Sequence, residues 1–193
     1  MPTQTERRKA TRAAVLEATI ESLVTHGYAA TTTARVADIA GVSRGAAPHY
    51  FASKADLVAE ALTKVARQRI DAIRDALPAD DVNWNEAVLD LIWEAHNGVL
   101  FVATIELWAA ARNDDQLRSA LTTAERDVRR AIWEAFAEVA GPRVLEPGFR
   151  EDMELVLATV RGLALLPLME DVPPRAVERR WKAARERLLR ILG

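Results

Sequence analysis

Between Ser43 and Lys54 the chain sets Arg44, His49, Tyr50 and Lys54 among the small residues Gly45, Ala46 and Ala47, and a second basic group, Arg7, Arg8, Lys9 and Arg12, stands near its start. These side chains suit polyanion recognition, since a guanidinium matches a guanine edge bidentately and hydroxyl, imidazole and ammonium groups bind phosphate oxygens. Catalytic chemistry is poorly served. The absence of cysteine excludes disulfides, thiolate metal sites and thiol redox switches. His26, His49 and His96 fall on separate expected elements without metal-ligand spacing, and there is no HExxH, Walker loop or glycine-rich dinucleotide turn. We therefore expect no enzyme, no metal and no cofactor.

The elements that position the basic residues can be read locally. Thr32 or Thr33 can cap a helix over about 33–40, with Val36, Ile39 and Ala40 as its apolar face. Gly41 ends it, because a helix C-terminus often needs the left-handed conformation that glycine takes readily. Val42 plugs the angle, and Ser43 is placed to cap a second helix carrying Arg44, Gly45, Ala46, Ala47, His49 and Tyr50. Its small residues keep it slim enough for a major groove about 12 Å wide. Ser53 with Asp56 opens a further helix at Lys54, where helix amides already favour an anion. Together these form a helix-turn-helix. Pro48 is the irregularity: inside a helix, proline costs about 3 kcal/mol, so the second helix is expected to kink or to restart with Pro48 in its first turn.

Helical periodicity dominates the remaining sequence. A first helix is expected from about Glu6 to His26, with Leu16, Ile20, Leu23 and Val24 inward, Gly27 at its end and the basic arm before it. A long helix should run from Lys54 to about Ala76, broken by Leu77–Pro78 and Asp80–Asp81 at the best domain boundary. Further helices are expected from Asn85 to Asn97, Val99 to Arg112, Asp114 or Asp115 to Val139, Phe149 to about Met169, and Pro173–Pro174 to the C-terminus, with a loop over Gly141–Pro147. The fold class is all-α, with about nine helices. At 193 residues, half of them apolar, a sizeable core is expected. The net charge of -2 divides into +4 over residues 1–70 and -6 over 71–193, which would turn the basic end towards phosphate. The most apolar stretches are interrupted by Glu106 and Arg161 and fall short of a span, so the expected location is the cytoplasm, with no membrane partner.

The stretch from about residue 8 to 65 resembles the DNA-binding domain of the TetR (AcrR-like) family of bacterial transcriptional regulators. Gly27–Tyr28, Thr31–Thr32, Val36–Ala37, Ala40 through Ala46, Tyr50–Phe51 and Ser53 through Leu57 carry the resemblance. It departs at Pro48, where the family commonly has an aromatic residue, and at Arg35, where an acidic residue is more common. The resemblance implies a three-helix DNA-binding domain over 1–53, a connecting helix over 54–77, and a helical ligand-binding and dimerisation domain over 78–193. It implies a homodimeric regulator, expected to be a repressor, that leaves a palindromic double-stranded operator when a small, largely apolar effector binds.

Arg8, Lys9, Thr32, Thr33, Tyr50 and Lys54 are then expected on phosphates, Arg35 on a phosphate or base, Ser43 at the helix start, and Arg44, Gly45, Ala47 and His49 on base edges. Trp93, His96, Phe101, Ile105, Trp108, Trp133 and Phe136 are candidates for the effector wall or, equally, plain core. Glu106 either pairs with Arg112 or His96, binds a ligand, or lies at the surface. Leu155, Thr159, Gly162, Leu166, Trp181 and Leu188 are candidates for the dimer contact. The rival reading is a helical ligand-binding or interaction module that no longer reads DNA specifically.

Overall fold

The computed structural model describes residues 3–76, 84–169 and 172–193, and all side chains there except those of Ala46 and Ala47. Among these residues it is all-helical: α1 Gln4–Ala30, α2 Thr33–Ala40, α3 Ala46–Tyr50, α4 Lys54–Ala76, α5 Trp84–His96, α6 Val99–Ala111, α7 Asp115–Ala140, α8 Phe149–Met169 and α9 Pro174–Leu192. The boundary expected over Leu77–Pro78 and Asp80–Asp81 lies outside the described residues.

Local chemistry explains where the helices start and stop. Thr3 and Glu6 form a reciprocal capping box at the start of α1, so the basic group lies in its first turns rather than in an arm before it. The regular helix breaks at Gly27, with φ 72° and ψ 172°, a region that glycine alone enters without strain. Thr31 is fully buried beyond this break: its hydroxyl donates to the Gly27 carbonyl at 2.8 Å and meets Ser22 Oγ at 2.9 Å. The segment expected as a loop after α7 contains a 3-10 turn over Gly141–Leu145, opened by Pro142, whose missing donor is not required there.

The chain packs as two compact units, residues 1–68 with 99–131, and residues 69–98 with 132–193, so that α4 and α7 each contribute to both. In the first unit, Val15, Leu16, Val36, Phe51, Leu57 and Ala61 form one buried cluster. Leu23, Val58, Leu107, Leu117 and Leu121 form a second, which seats α6 and the first half of α7 against α1 and α4. Val24, expected inward, is 39% exposed: it lies outside the face of α1 that packs on α6. In the second unit Trp84, Val88, Leu89 and Ile92 of α5 meet Met153, Val156 and Val160 of α8 and Trp181 and Leu188 of α9. Arg185 ties α9 to α5 at the surface. Its fork donates to both carboxylate oxygens of Asp90 at 2.7 and 2.8 Å and reaches Glu86 at 3.0 Å.

Candidate nucleic-acid interface

Thr32 caps α2, its hydroxyl accepting the Arg35 N–H at 3.1 Å, while Thr33 is the first helical residue. Gly41 closes α2 in the left-handed conformation, φ 64° and ψ 31°, and the Val42 N–H returns to the Ala37 carbonyl at 3.0 Å. Residues 42–45 then turn the chain into α3. That helix begins at Ala46 rather than Ser43, so Arg44 and Gly45, expected on it, lie in the turn before it. The reason is Pro48. Placed third in α3, proline occupies the first turn, where backbone donors have no intrahelical acceptor. A start at Ser43 or Arg44 would instead place Pro48 in the helix interior, at the cost of an interior proline.

The unit leaves Ser43, Arg44, Gly45 and His49 exposed and Tyr50 half-buried. The Ala47 side chain lies outside the described part. Arg44 contacts Asp38 of α2 through a loose ion pair at 3.4 Å, with the two side chains 75% and 59% exposed. His49 meets Tyr50 edge to face at 5.2 Å. The Arg8 guanidinium stands 5.7 Å from the Tyr50 ring centre, and Arg12 stands 5.5 Å from that of Phe51 while pairing with Glu60 of α4. The start of α1 and the end of α3 are thus brought together through Arg8 and Arg12; Lys9 is exposed in the same part of α1. Ser53 caps α4, accepting the Asp56 N–H at 3.0 Å and donating to its carboxylate at 2.7 Å.

Two expected phosphate contacts are engaged within the chain instead. The guanidinium of Arg35 donates to the Ala30 carbonyl. Lys54 Nζ donates to the Tyr28 carbonyl at 2.6 Å and lies 3.9 Å from the Tyr28 ring centre. Tyr28 and Asp114, which sequence reading did not single out as functional, complete that cluster.

The candidate effector residues fall in both units. In the first, Trp108 packs on the buried cluster, Phe101 and Ile105 are half-buried, and Glu106 is exposed, its Oε2 lying 3.6 Å from where a Cβ on Gly27 would stand. Of the alternatives for Glu106, this is the surface one. In the second, Trp93 stacks on Trp181 with centroids 4.7 Å apart, and Trp133 meets Phe136 edge to face and carries Arg150 over its ring at 4.1 Å. His96 Nδ1 bonds the Ile92 carbonyl at 2.8 Å. Burial, and secondarily the charges of Arg161 and Arg69, hold its pKa below the ordinary value.

For the dimer candidates the structure requires a correction. Trp181 and Leu188 are 4% and 3% exposed, buried in their own unit's core, because the apolar stripe of α9 is satisfied by α5 and α8. Leu155 and Gly162 on α8 are exposed, with Thr159 and Leu166 half-buried on the same helix.

Among the described residues no three His, Asp or Glu side chains are grouped to hold a metal ion, and no single helix is long and apolar enough to cross a membrane.

Residues 15–61 match the family model described as bacterial regulatory proteins, tetR family. The chain is similar to the HTH-type transcriptional regulator CymR of Pseudomonas putida, 31% identical over 198 residues, covering 98% of this chain and 89% of that protein. An uncharacterised HTH-type transcriptional regulator of Mycobacterium tuberculosis is 32% identical over 125 residues, 62% of each chain. Among solved structures, the multidrug binding protein EbrR complexed with ethidium superposes with a TM-score of 0.68 at 22% identity, covering 95% of this chain and 99% of that one. A TetR transcription regulator from Haloarcula marismortui gives 0.66 at 24%, covering 92% and 96%. These two structures speak for the fold alone.

Proposed function

This chain belongs to the TetR family of bacterial regulatory proteins and is a DNA-binding transcriptional regulator, and from that premise we propose that it is a homodimeric repressor which leaves a palindromic operator when a small, largely apolar effector binds its C-terminal helices. The observation that carries the reading is the α2–turn–α3 unit, which exposes Arg44 and His49, with Tyr50 beside His49 and the Arg8 guanidinium at the Tyr50 ring. In this reading Arg44 and His49 face base edges, while Arg8, Lys9, Thr32, Thr33 and Tyr50 fix register on phosphates.

The functional division is 1–53 for DNA, 54–77 for the connecting helix and 78–193 for effector and dimer, and the protein acts in the cytoplasm. Two recognition helices on one operator must stand about 34–36 Å apart or a multiple of it. An effector shifts that spacing only through its different affinity for the DNA-bound and free forms. The effector half of the reading takes its ligand class by analogy from EbrR, a neighbour in fold that was solved with ethidium and with proflavin. Trp93, His96, Trp133 and Phe136 of the second unit are the effector's candidate contacts. Helix α4 is the natural connecting element, since it starts at Lys54 and continues to Ala76.

The test is selection of bound sequences from a random duplex pool, followed by light scattering on the selected complex. A two-fold symmetric motif held by a dimer or a pair of dimers is expected. A pool that yields no enriched motif at low salt would sink the reading.

A further inference from the structure

Lys54 is the first residue of α4, a position from which an extended ammonium would reach a phosphate. Its Nζ is turned inward instead, onto the Tyr28 carbonyl at 2.6 Å and the Tyr28 ring at 3.9 Å. The Tyr28 hydroxyl in turn donates to Asp114 Oδ2 at 3.3 Å. Asp114 is itself fixed: Oδ1 accepts the Leu117 N–H and its carbonyl accepts the Arg118 N–H, each at 2.9 Å, which makes it the cap of α7. The Tyr28 carbonyl belongs to the turn shaped by Gly27 and held by Thr31. Three elements of one unit therefore converge: the end of α1, the start of α4 and the α6–α7 junction.

The electrostatics agree with this geometry. Burial pushes the Tyr28 hydroxyl up to about 12, with Asp114 adding to the effect. Burial lowers the Lys54 pKa, and Asp114 opposes that shift. The carboxylate thus offsets part of the desolvation of the ammonium and favours its inward position.

We propose that Tyr28 and Asp114 form an internal tie which withdraws Lys54 from the phosphate contacts and fastens the first turn of α4 to the α6–α7 junction, making Asp114 a positioning residue for DNA binding. The tie itself follows from the fold; its bearing on DNA rests on the regulator reading above. Displacement of the α6–α7 junction would then reach the DNA-facing start of α4 through a single side chain.

Two measurements test the proposal separately. Competitive amine acylation of the free protein, read lysine by lysine in a mass spectrometer, uses exposed Lys9 and Lys182 as references. Lys54 is expected to show a free-amine rate constant, taken from a pH series that corrects for its own pKa, on the order of 10-fold below theirs, because the half-buried nitrogen is held on the Tyr28 carbonyl and ring and shielded from the reagent. Asp114→Asn keeps a cap for α7 and an acceptor for Tyr28 while deleting the charge, and Tyr28→Phe keeps the ring and carbonyl while cutting the link; both should accelerate Lys54 alone. A free-amine rate constant for Lys54 equal to that of Lys9 in the unaltered protein would overturn the tie.

The second measurement is the salt dependence of binding to a random-sequence duplex. Lys54→Met should leave the slope of log K against log salt unchanged in the natural background. With Asp114→Asn the slope should steepen by about 0.9 for each phosphate recruited, and Lys54→Met should cancel that gain. A shallower slope on Lys54→Met alone would overturn the withdrawal of Lys54. A protein that binds no duplex but keeps the acylation pattern would overturn the regulator reading and leave the tie supported.

Discussion

In the proposed reading Arg44 would enter DNA recognition from an existing partnership, and the magnitudes decide whether that matters. Its pair with Asp38 is long and exposed at both ends, so breaking it costs at most about 1 kcal/mol. A bidentate guanine contact discriminates by about 1–3 kcal/mol. In that reading Asp38 is only a weak competitor for Arg44. Arg44→Ala should lose about 1–3 kcal/mol of operator binding and relax preference at one position, whereas Asp38→Asn should change affinity less than fivefold; titration of each variant against the selected operator and its point variants checks both. Arg44→Ala with an unchanged base preference would remove Arg44 from the reading set.

His96 supplies a second prediction of this kind. Its folded pKa lies below the ordinary 6.5, so in acid the unfolded chain binds the proton more readily than the folded one. Its contribution to stability is complete above 6.5 and is lost as pH falls below it. Melting temperatures between pH 7.5 and pH 5 should therefore drop more for the natural protein than for His96→Gln. Equal drops would mean that His96 titrates freely.

The helices were legible wherever a local residue enforces the boundary. Gly27, Gly41 and Gly98 end or separate elements where the sequence places them, α2 runs over Thr33–Ala40, and α4 and α8 start at Lys54 and Phe149, as their caps and periodicity predict. The start of α3 was legible from Pro48, which was expected either to kink the helix or to fall in its first turn, and not from Ser43, because a capping hydroxyl and an interior proline make opposite demands and the proline's is the larger. Pro48→Ala should accordingly change stability by less than about 1 kcal/mol, far below the ~3 kcal/mol of a mid-helix proline. Gly27→Ala, in contrast, should cost on the order of 1–3 kcal/mol, since alanine strains at φ 72° and ψ 172°. Urea unfolding of the two variants separates these cases. Long-range partnerships left no sequence signal: Tyr28 and Asp114 stand 86 residues apart, and nothing near Lys54 announces either. The stripe of α9 showed that one face is covered without showing by what, which is why Trp181 reads as readily for a partner as for its own core.

At the scale of the molecule, dimerisation decides whether one recognition unit or two meet the operator, and the correction at Trp181 and Leu188 moves the proposed contact onto α8. Leu155 is 47% exposed there, with Gly162 two turns further on. A Cβ added at Gly162 would meet nothing within 4 Å inside the chain. That open space distinguishes two roles for the glycine. If α8 faces only water, Gly162→Leu replaces the poorest ordinary helix former with a good one and stabilises the protein by up to about 1 kcal/mol, with no effect on assembly. If α8 meets its symmetry mate, the same side chain occupies the space where the second helix must approach, and across a two-fold axis the obstruction is presented twice. The expected result is a protein that melts no lower at high dilution, yet shows weakened self-association by sedimentation or light scattering and a shallower salt dependence on the operator, because each monomer then contributes its phosphate contacts alone. A Gly162→Leu protein that remains as tightly dimeric as the natural one would place the interface on another surface, and the operator geometry would have to be derived anew from that surface.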